Sequence, residues 1–206
     1  MVSTSHCEQP SGLVHPLPIK VAIGLGSSLG DRAAHLELAL RQLAIHPGLQ
    51  CLAVSRWVWS PPLKGGQARG WFLNGVAVFE AMLHLEDLLR VCRDLEGRAG
   101  RRRTLHWGDR PLDLDLLVAQ GVSCSTPMLT LPHPEVANRP FVLQPLLEVW
   151  PEAMNERSGE RFAAHKVIAK APALVAGPLM PKNALRKKGQ RSRTDLARPR
   201  RQRGAL

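Results

Sequence analysis

Asp113 and Asp115 stand two residues apart in HWGDRPLDLDLLV, a run of leucines entered through a tryptophan and an arginine. Successive side chains of a β-strand point to opposite faces, so the two carboxylates share one face while Leu112, Leu114 and Leu116 share the other. A strand that continues into Leu117 and Val118 reads as largely buried, where an unpaired carboxylate is costly. Two side by side also repel. Lining a cleft and sharing a cation relieves both problems, and hard oxygen ligands of this kind suit magnesium. The plainer alternative is an edge strand with a wet acidic face.

The neighbouring residues favour phosphate chemistry. The loop GRAGRRRTLHWGDR (97–110) brings Arg101, Arg102, Arg103 and Arg110, with His106, to the threshold of the aspartate strand. A guanidinium donates bidentate, charge-assisted hydrogen bonds to phosphate, and arginines beside a magnesium pair are the parts needed to hold a polyphosphate and stabilise its transfer. Further on, His133 lies between two prolines in LPHPEVANRPF, with Arg139 and Phe141 close behind. The pieces SPPL and WFLN supply Phe72 and Asn74, a ring for stacking and an amide for the edge of a flat heterocycle. Core packing accounts equally well for Phe72; an amide in an otherwise apolar strand needs partners. GLGSSLGD (24–31) matches neither a dinucleotide-binding nor a Walker pattern, and by itself indicates a tight turn or a close backbone approach.

The elements that must position these groups alternate along the chain. An apolar run from Ile19 forms the first strand, and Leu36, Ala39, Leu40, Leu43 and Ala44 lie at helical spacing between Asp31 and His46. A second strand is predicted from Gln50 to Ser60 and a third from Trp71, separated by a loop of two prolines and three glycines. A second helix carries Leu85, Leu88, Leu89, Cys92 and Leu95 on one stripe and stops near Gly97. The aspartate strand follows, then a short apolar helix at 141–149. The order β-α-β-β-α-β predicts an α+β, ferredoxin-like sandwich with extra C-terminal elements, its helices covering one face of an antiparallel sheet.

Composition bounds the remainder. The 206 residues suffice for one domain with a sizeable core, and no apolar run approaches the span of a membrane helix. Cys7, Cys51, Cys92 and Cys124 lack zinc-ligand spacing or a disulfide framework, which predicts a reduced, cytoplasmic setting. The net charge of +11 is local. Residues 161–206 hold thirteen Lys and Arg against the single acid Asp195, and the preceding chain is about neutral. The expected organisation is a disordered leader at 1–18, a folded domain at 19–160 and a basic, disordered tail at 161–206 with at most weak attraction for nucleic acid.

In order and spacing, GLGSSLGDR, SPPL, WFLN, GRRR, HWGDRPLDLDLL and LPHPEVANRPFVLQPL resemble the motifs of the 6-hydroxymethyl-7,8-dihydropterin pyrophosphokinases over residues 19–152. The resemblance implies transfer of the terminal diphosphate of ATP to the hydroxymethyl group of the pterin, releasing AMP, in folate biosynthesis. By matching motifs, Asp113 and Asp115 would ligate two Mg2+, and Arg101, Arg103 and Arg110 would handle the phosphates. Glu96, Trp107, Thr130, His133 and Arg139 would reach the nucleotide. Ser60, Leu63, Phe72, Asn74, Trp107 and Phe141 would form the pterin pocket, and the loops from Ser60 and Gly97 would be mobile lids that exclude water. A monomer acting on ATP and the pterin, without a membrane, is expected. Ser28, His106, Asp109 and Pro134 depart from the family pattern, and Asp109 is placed to neutralise Arg110. A catalytically impaired homologue and an RNA-binding ferredoxin-like domain are the alternatives; against the latter, GWFLNGVAVFE lacks the RNA-recognition pattern.

Overall fold

A computed structural model describes residues 18–63, 65–101 and 108–165, together with the backbone of 175–176. The chain runs through β1 (Ile19–Ser27), α1 (Arg32–Ile45), β2 (Leu49–Val54), β3 (Val58–Ser60), β4 (Phe72–Ala81), α2 (Leu85–Arg98) and β5 (Asp113–Ala119). It continues through the short pair β6 (Cys124–Ser125) and β7 (Thr130–Leu131), the helix α3 (Pro140–Val149), a second short pair, β8 (Met154–Asn155) and β9 (Glu160–Arg161), and β10 (Val175–Ala176).

Strands β3, β4, β1 and β5 lie side by side in that order, all antiparallel, and β2 also pairs with β4. This is the expected α+β, ferredoxin-like arrangement with one correction. The strand predicted from Gln50 to Ser60 is two strands. At the break, Ser55 takes over the ladder: its N–H donates to the Val76 carbonyl at 2.9 Å, and its hydroxyl accepts the Val76 N–H at 2.9 Å. Trp57 then turns inward, 1 % exposed, with its ring where a Cβ on Gly75 would stand 2.3 Å away. Burying so large a ring interrupts the strand because its face cannot alternate normally there.

Alternation assigns the two faces of the sheet. Val21, Ile23 and Leu25 of β1, with Leu114 and Leu116 of β5, pack against Leu36, Leu40 and Leu43 of α1 and Leu85 and Leu88 of α2. Asp31 begins α1 by accepting the Ala34 N–H at 3.0 Å, and Pro47 follows its end. The opposite face, with Ala22, Val76 and Val78, is covered by Leu143 and Leu146 of α3. Phe162 belongs to this second core, 1 % exposed, and its N–H donates to the Ala153 carbonyl at 3.0 Å. The folded part therefore extends past the expected boundary at 160, because the side chain that completes the α3 layer comes after it. Val175 and Ala176 also pair with Trp59 and Val58 at the edge of β3. The leader and the rest of the basic segment lie outside the described residues. Among those described, no helix is long and apolar enough to cross a membrane.

Candidate active site

The aspartates of β5 lie on the α3 face of the sheet, in two rows that cross it. Gly26 of β1 sits between Asn74 of β4 and Asp113 of β5, and Gly24 sits between Val76 and Asp115. A Cβ on Gly26 would come 3.1 Å from the Asn74 amide oxygen and 3.7 Å from the Cβ of Asp113. Gly26, inside β1 rather than in a turn, thus supplies a low floor that leaves room beside Asp113.

The partners of the two acids differ. Asp113 accepts from Arg101 Nη1 at 2.9 Å and from Arg110 Nη1 at 2.7 Å, both on the same oxygen. Burial pushes Asp115 up to about 7, reinforced by the charges of Asp113 and Glu96 and opposed by Arg110 and Arg139. Glu96, at the end of α2, is buried; its carboxylate accepts the Leu114 N–H at 2.8 Å and also pairs with Arg101. Burial raises Glu96 above the ordinary carboxylate range, while the Leu114 N–H and Arg101 work against that rise. Glu96 therefore grips both the backbone between the aspartates and an arginine that reaches one of them.

Each aspartate of the pair lines a different cavity. A cleft of about 550 Å³ is lined by Asp115, Glu96, Arg101, Thr130, His133 and Pro134, with Leu89 and Arg93 of α2 and the 126–129 turn. A smaller pocket of about 60 Å³ is lined by Asp113, Arg110, Arg139, Ser60, Leu63, Ala68, Phe72, Asn74 and Phe141. Asn74 is buried and donates from its amide nitrogen to the Ser60 hydroxyl at 2.9 Å, which leaves its amide oxygen beside Gly26.

His133 faces the larger cleft in a defined state. Burial lowers its pKa, Arg139 adds to the effect, and Glu135 and Asp113 oppose it, so the ring is neutral at neutral pH. Its Nδ1 accepts the Glu135 N–H at 3.2 Å, which places the ring proton on Nε2. Arg139 is the residue before α3; its Nε lies 3.5 Å from the Glu135 carboxylate, a loose pair, and finds no hydrogen-bond partner among the described residues. A buried N–H without a partner beside the smaller pocket can serve an anionic ligand.

The structure thus places Glu96, Arg101, Asp115, Thr130 and His133 around one cavity, and Ser60, Leu63, Phe72, Asn74, Arg110, Asp113 and Phe141 around the other. Arg139, expected on the nucleotide side, lines the smaller pocket. Arg103, His106 and Trp107 lie outside the described residues. Sequence reasoning missed Arg93 and the 126–129 turn. Arg93 was within reach, since it lies three residues before Glu96 on α2 and therefore on the same helical face.

The donor set fits a hard divalent cation. No group of three or more His, Cys, Asp or Glu side chains among the described residues forms a complete protein cage. Magnesium is commonly held by one or two carboxylates plus substrate phosphates and water, and Asp113 and Asp115 offer that partial set.

Residues 22–151 match the model of the 7,8-dihydro-6-hydroxymethylpterin-pyrophosphokinase (HPPK) family. The chain is 41 % identical over 130 residues to a 2-amino-4-hydroxy-6-hydroxymethyldihydropteridine pyrophosphokinase of Methylorubrum extorquens, an alignment covering 63 % of this chain and 82 % of that protein. It is 34 % identical over 134 residues to the protein of the same name from Bacillus subtilis, covering 65 % and 80 % respectively. Among solved structures, the wild-type Plasmodium falciparum HPPK-DHPS with pterin and p-hydroxybenzoate superposes with a TM-score of 0.54 at 11 % identity. That match covers 77 % of this chain and 44 % of the longer Plasmodium protein, and it speaks to the fold alone. The folded chain described above belongs to the 7,8-dihydro-6-hydroxymethylpterin-pyrophosphokinase family.

Proposed function

We propose that the chain carries out the reaction of its family, transfer of diphosphate from ATP to 6-hydroxymethyl-7,8-dihydropterin in folate biosynthesis, with one aspartate of the pair in the wall of each substrate cavity. The observation that carries this reading is that placement: Asp115 lines the larger cavity and Asp113, two residues before it on the same face of β5, lines the smaller. ATP suits the larger one, with Arg101, Thr130 and His133 in its wall. The pterin suits the smaller one, where Asn74 meets the heterocycle's hydrogen-bonding edge and Phe72 and Phe141 meet its faces.

In the transfer, the hydroxymethyl oxygen bonds to the β-phosphorus as the bond from that phosphorus to the bridging α,β-oxygen breaks. AMP leaves, and the hydroxyl proton is released. Bound Mg2+, held by Asp113 and Asp115, would neutralise charge on the phosphate oxygens. The arginines do the rest of that work. Each guanidinium has five N–H donors, so Arg101 and Arg110 can hold Asp113 and still donate to phosphate. The Nε2–H of His133 adds a neutral donor on the nucleotide side, and Arg139 adds a guanidinium to the wall of the smaller pocket.

The direct test is AMP release from ATP and magnesium with and without the hydroxymethyldihydropterin. AMP formed only with the pterin, and abolished by EDTA, is the expected result. Well-folded protein that forms none would make the chain an impaired homologue. Asn74→Ala should raise the Kd for the pterin about tenfold or more while shifting nucleotide affinity by less than about twofold, read by calorimetry; a lost hydrogen bond in a buried pocket has that scale. Equal losses for both ligands would remove Asn74 from the pterin site.

A further inference from the structure

We infer that Asp109 is a positioning residue, a latch that fastens the 65–71 segment to the Arg110 peptide and so sets the wall of the smaller pocket against its arginine. One carboxylate oxygen of Asp109 accepts the Arg69 N–H at 3.0 Å, and the other accepts the Gly70 N–H at 3.1 Å. The adjoining peptide is fastened to a second segment: the Arg110 N–H donates to the Ser28 hydroxyl at 2.9 Å, and the Ser28 N–H donates to the Arg110 carbonyl at 3.0 Å. Arg110 in turn reaches Asp113, and Ala68 of the latched segment lines the same small pocket. At the far end, Arg32 Nε donates to the Trp71 carbonyl at 3.0 Å.

Two further observations agree. A Cβ on Gly70 would lie 2.9 Å from the Ser28 carbonyl oxygen and 3.2 Å from the Asp109 carboxylate, so the close approach requires glycine. Although burial works the other way, the N–H groups of Arg69 and Gly70, the Ser28 hydroxyl and nearby Arg32 hold the Asp109 carboxyl below its ordinary range. Its charge is thus directed to two backbone donors, whereas the Arg110 guanidinium is directed to Asp113. The neutralisation of Arg110 expected from the sequence is not what these contacts show. Ser28 and Asp109 act together in one network.

The inference rests on assigning the smaller pocket to the pterin, and its test separates the two. Trypsin cleavage of the full chain after Arg69, followed by fragment mass, reports the latch without any activity. Asp109→Ala should speed that cleavage about tenfold, with Asp109→Asn in between because an amide has one acceptor oxygen for two N–H donors. Asp109→Ala should also raise the KM for the pterin about five- to twentyfold while changing the KM for ATP less than about twofold. Gly70→Ala breaks the same docking from the other side, so the double variant should be no worse than the more affected single one. Unchanged cleavage in Asp109→Ala, or additive effects in the double variant, overturns the latch. Faster cleavage together with no pterin-dependent AMP from the parent protein keeps the latch and removes the functional reading attached to it.

Discussion

Replacing Asp115 by asparagine is expected to lower kcat by at least about a hundredfold while leaving the metal-free protein no less stable than its parent. The rate falls because a neutral amide is a poor ligand for magnesium and cannot offset phosphate-bound cation charge. Stability behaves differently because the carboxylate is itself a burden in the folded state, where burial and the charges of Asp113 and Glu96 raise its pKa to about 7. A carboxyl raised from its unfolded value of about 3.9 contributes stability that is complete below that value and is lost as pH rises through the folded value. In EDTA, the advantage in Tm of Asp115→Asn over the parent should therefore be larger at pH 8 than at pH 5. Asp113→Asn should lose activity to a similar degree, but with a lower Tm, because it removes the anion that Arg101 and Arg110 share. Near-parental turnover in either variant would defeat the assignment of the pair as metal ligands, and an equal fall in Tm for both would contradict their different surroundings.

The second large effect lies at the end of the folded domain. Phe162→Ala should destabilise the protein by about 3–5 kcal/mol, the range for emptying a buried aromatic site. Phe162 closes the core formed by Ala22, Val76, Leu143, Leu146 and Trp150, and its N–H is tied to Ala153. That core holds α3, whose first turn brings Phe141 to the smaller pocket and whose preceding residue is Arg139. A chain ending at residue 160 should accordingly match the instability of Phe162→Ala and lose pterin affinity, whereas one ending at 165 should keep a near-parental Tm and most activity. Denaturant unfolding of the three proteins decides the matter. A chain ending at 160 with parental stability would show that Phe162 contributes nothing, and collapse of the one ending at 165 would assign an essential role to the later residues, β10 among them.

The division between sequence and tertiary structure follows from the range of the forces involved. Alternation put Asp113 and Asp115 on one face and Leu114 and Leu116 on the other, because the period of a strand is a local property. The helical stripes of α1 and α2 and the cap at Asp31 were legible for the same reason. Residue chemistry also indicated phosphate, a hard cation and a flat heterocycle, and the joint order of motifs indicated the family. Many of the residues that line the two cavities carry the side chains that those motifs singled out.

Contacts between distant segments were not legible. That Gly26 forms the floor beside Asp113 depends on the pairing of β1 with β5, about ninety residues away. Trp57 interrupts a strand because of Gly75 on the neighbouring one, and Phe162 belongs to the domain because α3 leaves a gap that it fills. Asp109, which by adjacency alone should weaken Arg110, instead holds Arg69 and Gly70. By itself the sequence determined which chemical groups the protein carries and on which face of each element they lie. Only the tertiary structure decided that the two carboxylates line two different cavities and which groups share each wall, because hydrogen-bond partners and burial depend on through-space packing that local spacing does not encode.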